Sequence, residues 1–118
     1  MTIKQYAYRI CIECGMRPQN AGFQYFVDAI ELAYHNRECL NKGITKVLYP
    51  EIGKMHNSNG SRVERAMRHA VENSRSKHNN SNFIVSAISF IDYCKNYEEC
   101  EMNYQRAKHE VFESFLTA

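Results

Sequence analysis

The 118-residue chain has no apolar run long enough to cross a membrane. Its longest uncharged apolar stretch, Phe83 to Ile91, is interrupted by two serines. The opening residues Met1-Thr2-Ile3-Lys4-Gln5-Tyr6 hold neither an apolar h-region nor a small-residue cleavage site. No secretion signal is therefore read, and a cytoplasmic protein without a membrane partner is expected. An excess of charge is also missing, since the net formal charge is only +2. The five cysteines, Cys11, Cys14, Cys39, Cys94 and Cys100, are an odd number, which argues against a disulfide scaffold. Cys11-Ile12-Glu13-Cys14 is a CxxC, but no second close Cys or His pair accompanies it as a zinc site would require. A redox CxxC usually follows a strand and opens a helix, and here it sits inside an apparent helix. Buried, reduced thiols are the preferred reading over zinc. The five histidines are scattered, with no His/Cys/Asp grouping at catalytic spacing and no phosphate-cradling glycine loop. No enzyme, cofactor or metal is expected. Strand-like alternation, internal repeats and low-complexity segments are absent as well.

What is present is helical periodicity. The composition, 44% hydrophobic and 24% charged, is that of an ordinary globular protein, and the length suits one domain spanning residues 1–118. Ile3, Tyr6, Ile10 and Cys14, with Ala7 and Cys11, form a stripe that stops at Gly15, with Pro18 soon after. Asn20-Ala21-Gly22 reads as a turn. Phe23 to Arg37 reads as a second helix, too aromatic to be exposed and expected at the centre of the core. His35 to Gly43 is a polar connector with a short helical turn. Ile44 to Tyr49 is a short apolar segment that Thr45 could cap, and a new helix of about two turns runs from Pro50 to His56. Asn57-Ser58-Asn59-Gly60 is the strongest turn signal in the chain. Beyond it, Ser61-x-x-Glu64 fits a capping box, while Ser58 or Asn59 could cap a slightly earlier start. Ser76 to Asn82 is a polar loop. Ser81 is expected to cap a helix over Phe83 to Tyr93 with Phe83, Ala87, Phe90, Ile91 and Cys94 inward. A last helix over 97–116 turns Tyr97, Met102 (or Cys100), Tyr104, Ala107, Val111, Phe115 and Leu116 to its apolar side. The fold class is all-α, with about six helices containing a helix-turn-helix.

The stretch from Ser61 to Arg75 organises the rest. Val63, Met67, Ala70 and Ser74 make a narrow seam, while Arg62, Arg65, Arg68, His69, Glu72 and Arg75 point elsewhere. A helix buried on one side and rich in forked donors on the other suits the major groove of DNA. A solvated surface helix is the plainer alternative. Charge distribution favours the first. Between Lys54 and His78, six Lys/Arg face two Glu for a local +4, whereas Asp92 to Ala118 carries three against six for −3. The grammar of a helix-turn-helix is present too. Gly53 stands where the two helices cross closest, Asn57 where the turn needs a left-handed residue, and Val63 where the second helix needs an apolar anchor.

The run Ile44-Thr45-Lys46-Val47-Leu48-Tyr49-Pro50-Glu51-Ile52-Gly53-Lys54, followed by Ser61-Arg62-Val63-Glu64-Arg65-Ala66-Met67-Arg68-His69-Ala70-Val71-Glu72, resembles the C-terminal effector domain of the sporulation-initiation response regulator family of endospore-forming Firmicutes. Upstream, Ile12-Glu13-Cys14-Gly15-Met16-Arg17-Pro18 and the segment Gly22 to Ile30 are similar to that family's first two helices. The resemblance covers about residues 8–78 and leaves 81–118 as a divergent helical tail. It implies a helical domain that reads a short promoter element of double-stranded DNA, often in tandem head-to-tail copies. Self-association on tandem sites and contact with RNA polymerase belong to the same expectation. Carried over by position, Glu64 and Arg65 are the expected base-edge readers, with Ser61, Arg62, Arg68 and His69 as nearby contacts to bases or phosphates. Arg can bind guanine O6 and N7 bidentately, and Glu can accept from cytosine N4.

The turn departs from the family's pattern, which favours threonines and often a proline before the serine. Gly60 in that place is expected to loosen the helix start. The family's phosphoacceptor domain is not in this sequence, which is read as a stand-alone relative. The leading reading is a sequence-specific DNA-binding transcription regulator with a recognition helix over about 61–75. A protein-interaction module or antagonist that keeps the fold without binding DNA is the alternative, supported by the low net charge and acidic tail. A zinc-stabilised domain built on Cys11 and Cys14 is the third.

Overall fold

The computed structural model describes residues 1–96, 104–108 and 112–116, apart from the side chains of Lys42, Thr45 and Phe112. The order is α1 (Ile3–Glu13), α2 (Ala21–His35), α3 (Glu38–Lys42), a π-helical turn (Ile44–Leu48), α4 (Tyr49–Met55), α5 (Gly60–Glu72) and α6 (Asn80–Asn96). A helical segment at 104–108 and a 3-10 turn (Phe112–Phe115) follow. There is no strand among the described residues. The all-helical expectation holds. Of the last helix expected over 97–116, Tyr97, Cys100, Met102 and Val111 lie outside the described residues.

α1 opens on a capping box. Thr2 Oγ1 accepts from the Gln5 amide at 3.1 Å, and Gln5 Oε1 accepts from the Thr2 amide at 2.8 Å. Its other end closes on Gly15, whose φ of +87° is in the region that favours glycine. The Met16 amide then donates to Cys11 O at 3.1 Å and the Gly15 amide to Ile12 O at 2.9 Å, the paired bonds of a Schellman ending. The glycine stop is where the sequence places it.

α2 is the hub and touches α1, α3, α4, α5 and α6. Phe23, Phe26, Val27, Ala29, Ile30 and Ala33 are all buried. The helix starts at Ala21, with Asn20 as its N-cap, so Ala21 and Gly22 are helical and not part of a turn. Gly22 is where α2 meets α5. A Cβ there would run into the carbonyl oxygen of Ala66 and lie 2.7 Å from Ala70 Cβ. α5 answers with Val63, Met67, Ala70 and Val71, all buried. Ser74 is not part of this seam, because α5 ends at Glu72 and Ser74 turns its hydroxyl to Val71 O at 2.7 Å.

Arg75 also leaves the cationic ridge expected for it. Its guanidinium donates to the carbonyl of Glu13 and its amide donates to Cys14 O at 2.7 Å, closing the C-terminal end of α1. A cation at a helix C-terminus meets the negative end of the helix dipole. Asn79, not Ser81, caps α6, accepting from the Asn82 amide at 2.8 Å. α6 buries the expected Phe83, Ala87, Phe90, Ile91 and Cys94, together with Ile84 and Ile88. The described part of the tail packs on this face. The Phe115 ring lies 5.3 Å from Phe83, and that of Tyr104 5.5 Å from Phe90. Both Tyr104 and Phe115 are buried.

Candidate nucleic-acid interface

α4 and α5 are held together by a tight turn. A Cβ on Gly53 would meet Ser58 O, Asn59 C and Asn59 Cα, each at 3.0 Å, so any side chain at the crossing would have to push the turn back. The Ser58 amide donates to Gly53 O at 2.7 Å across the same gap. Asn57 has φ +54° and is the one non-glycine residue with positive φ among those described. Asparagine tolerates that left-handed state better than most residues. Val63 is fully buried. All three positions thus have the environments that a helix-turn-helix frame demands.

The start of α5, left open by the sequence, is settled by one hydrogen bond. Asn59 Oδ1 accepts from the Arg62 amide at 3.0 Å and is the N-cap. Gly60 is the first residue of the helix, without positive φ, and a Cβ there would rest at ordinary contact, 3.5–3.6 Å, on Pro50. Pro50 occupies the first turn of α4, where its missing N–H removes no helical bond. The π-helical turn ends at Leu48 and α4 begins at Tyr49, one residue before the expected start. Thr45 lies inside that turn, not at its cap.

Two further contacts fix this pair on the core, and neither is signalled locally. His56, at the end of α4, places Nε2 2.5 Å from Asp28 Oδ2 on α2, with the Tyr25 ring edge-on at 5.1 Å. Asn80, at the start of α6, donates from Nδ2 to Tyr49 Oη and to Glu64 O, both at 3.2 Å. One buried carboxamide therefore links α4, α5 and α6. Burial raises the Tyr49 hydroxyl above the ordinary phenol value, with the Asn80 hydrogen bond opposing the shift. Tyr49 is a buried core residue.

The exposed face of α5 follows from the buried one. With about 100° between residues, Arg65 stands opposite the seam of Val63, Met67, Ala70 and Val71, with Ser61, Arg68 and Glu72 beside it. Arg62 and His69 lie on the flank toward α2, and Glu64 lies half-buried on the flank toward α4. Ser61, Arg62, Arg65, Arg68 and His69 are exposed. The side chains of Arg62 and Arg65 have no hydrogen-bond or ion-pair partner among the described residues. Arg68 Nη1 donates to Glu64 Oε1 at 3.2 Å, an i,i+4 pair. The six expected contact residues therefore lie on one helix, spread over its outer face and both flanks, with five exposed and Glu64 half-buried. Glu64 has its carboxylate engaged by Arg68 and its carbonyl by Asn80. For Glu64 to accept from a base edge, it must share its carboxylate with Arg68 or release it.

The CxxC lies away from this surface. Cys11 is inside α1, Cys14 caps its end, and both are fully buried. Desolvation, followed by the nearby Cys14, pushes the Cys11 thiol well up. Cys14 is pushed up to about 12 by burial and by Glu13, against the opposing charge of Arg75. A metal ligand must be a thiolate, and this environment favours the thiol. The pair packs as small apolar side chains.

A family model described as "Sporulation initiation factor Spo0A C terminal" matches residues 7–97. The chain belongs to this family. The matched span includes α1 from its second turn, the α4–α5 pair and all of α6. It extends past residues 8–78, where the resemblance is legible in the sequence. The Spo0A C-terminal family is a DNA-binding effector domain of a sporulation response regulator, concerned with transcription and not with catalysis. No helix among the described residues is long and apolar enough to cross a membrane.

Proposed function

We propose that the protein is a sequence-specific regulator of transcription that lays α5 in the major groove of double-stranded DNA. The observation that carries this reading is a pair of unpartnered guanidiniums, Arg62 and Arg65, projecting from a helix whose opposite face is locked into the core. Side chains near the N-terminal end of a recognition helix are the ones that reach base edges. Arg65 is assigned to guanine, and Glu64 to a cytosine amine once it shares its carboxylate with Arg68. Ser61, Arg62, Arg68 and His69 contact neighbouring bases or phosphates. Tandem sites, self-association on them and contact with RNA polymerase complete the reading.

Selection of bound duplexes from a random pool, followed by anisotropy titration, tests it. A recovered site that the parent binds well above a scrambled duplex is the expected result. Absence of binding to any duplex at micromolar protein and low salt favours the interaction module instead.

A further inference from the structure

The two flanks of α5 are chemically unlike. On the α4 side, the cleft beside Tyr49, Arg68 and Lys77 also contains the carboxylates of Glu64 and Glu72. On the α2 side, a cavity is lined by Arg17, Asn20, His69 and Asn73, with no carboxylate among them. Among the described residues, an anion is repelled by two groups on the first flank and by none on the second. The α2 corner joins three elements: the loop after α1, the start of α2 and the exposed flank of α5. Its parts are held in place. Gly22 seats the first turn of α2 directly on Ala66 and Ala70 of α5, so the N-terminus of α2 cannot drift from His69. Asn73 Nδ2 donates to His69 O at 2.8 Å and lies within 3.4 Å of both ring nitrogens, which fixes that side of the cavity.

What remains in the corner is uncommitted donor capacity. The Arg17 side chain is exposed and has no hydrogen-bond or ion-pair partner among the described residues. Asn20 caps α2 without a side-chain hydrogen bond, so its carboxamide is not spent on the helix it precedes. The 15 residues of α2 give that end a developed positive dipole. A helix with its side chains is about 10–12 Å across and the major groove about 12 Å wide, so the flanks of a seated helix face the phosphates that line the groove.

We infer that this corner holds a backbone phosphate of the duplex whose major groove receives α5. Arg17, far from the helix-turn-helix in sequence, is then a DNA-contacting residue. Its forked guanidinium supplies the charge-assisted bonds, with Asn20 and His69 completing the site. The inference rests on the DNA-binding reading above. A phosphate contact positions the protein without reading sequence, so the role of Arg17 is separable from that of Arg65.

Anisotropy titrations over a salt series test it, using two duplexes of equal length: the site recovered from random-pool selection and a scrambled sequence. Arg17→Ala is expected to weaken both duplexes by the same factor and to make the slope of log affinity against log salt shallower by about 0.9. Arg17→Lys is expected to keep most of the slope, and Arg65→Ala to collapse the ratio between duplexes while leaving the slope nearer the parent's. An unfolding midpoint of Arg17→Ala equal to the parent's assigns the loss to the contact. Parent-like affinity and slope in Arg17→Ala, with discrimination still lost in Arg65→Ala, would overturn the phosphate site and leave the DNA-binding reading standing. A parent that binds neither duplex overturns both.

Discussion

Three glycines on or against α5 show how one residue type serves opposite ends. Gly22 is a place where a backbone passes too close for any side chain, and Gly53 is one where the contact is tight. Gly60 is neither, since Pro50 lies at ordinary contact distance from where its Cβ would stand. Gly22→Ala must push α5 away from α2 or distort both, and over-packing of this kind costs about 1–3 kcal/mol. Gly60→Ala adopts a helical φ without a clash and removes freedom from the unfolded chain, worth roughly 0.4–1 kcal/mol of added stability. The two substitutions are chemically identical and are expected to move the urea midpoint in opposite directions. A stabilised Gly22→Ala would contradict the close approach. The expectation that Gly60 loosens the helix start is tested in the same experiment. Arg65→Ala belongs to the same scale but reads out differently. The residue is exposed and has no hydrogen-bond or ion-pair partner among the described residues, so the unfolding midpoint should not move. Preference for the selected site over its single-base variants at the contacted position should fall by about 1–3 kcal/mol, roughly 5- to 150-fold. Unchanged preference would remove Arg65 from the reading face.

At the level of elements, α5 begins where it does because Asn59 caps it and Asn57 accepts the turn. Asn59→Ala leaves the Arg62 amide without its acceptor and is expected to cost about 1 kcal/mol. Asn57→Gly should be tolerated at φ +54°, while Asn57→Val should not, because a β-branched residue is strained in the left-handed region. Equal midpoints for the Gly and Val variants would show that the turn has another shape. The turn was legible in the sequence because its partners are a few residues away, whereas the cap stayed open between Ser58, Asn59 and Ser61. Gly53, Asn57 and Val63 sit at fixed local offsets, and Gly15 ends α1 within its own turn. The features that escaped have partners far along the chain. Gly22 was read as part of a turn because glycine before a helix usually is. Its true reason, Ala66 and Ala70, lies on another element. Arg75 has the spacing of a solvated ridge, yet the helix stops at Glu72 and the side chain turns back to Glu13. Asn80 carries no local signature of a residue that ties Tyr49 to Glu64. Glu64 is an intermediate case. Its place on α5 was readable, but its half-buried pairing with Arg68 depends on α4 and α6 closing over that flank.

On the scale of the whole molecule, the core stores thiols that must stay protonated. Cys11 and Cys14 from α1 and Cys94 from α6 are buried, and desolvation is the leading cause that raises each. Cys94 is pushed up to about 11 and Cys14 to about 12, from an ordinary 9.0. The sign of the linkage is fixed by which state ionises first. Above pH 9 the unfolded chain releases these protons while the folded chain keeps them, so the unfolded state binds fewer protons and stability falls with rising pH. The stabilisation is complete below about pH 9 and is lost as pH climbs toward the folded-state values. Each fully protected thiol contributes a slope of about 1.4 kcal/mol per pH unit in that window. Urea unfolding between roughly pH 8 and pH 10.5 should therefore show a steep loss of midpoint. Replacing Cys14 with alanine lowers the midpoint at neutral pH by opening space in the core, but it should flatten the alkaline slope. The slope, not the starting stability, is the decisive quantity, because packing loss alone shifts the curve without tilting it. A Cys14→Ala curve parallel to the parent's would mean that the thiol ionises as easily folded as unfolded, and the dry core around α1 would have to be abandoned.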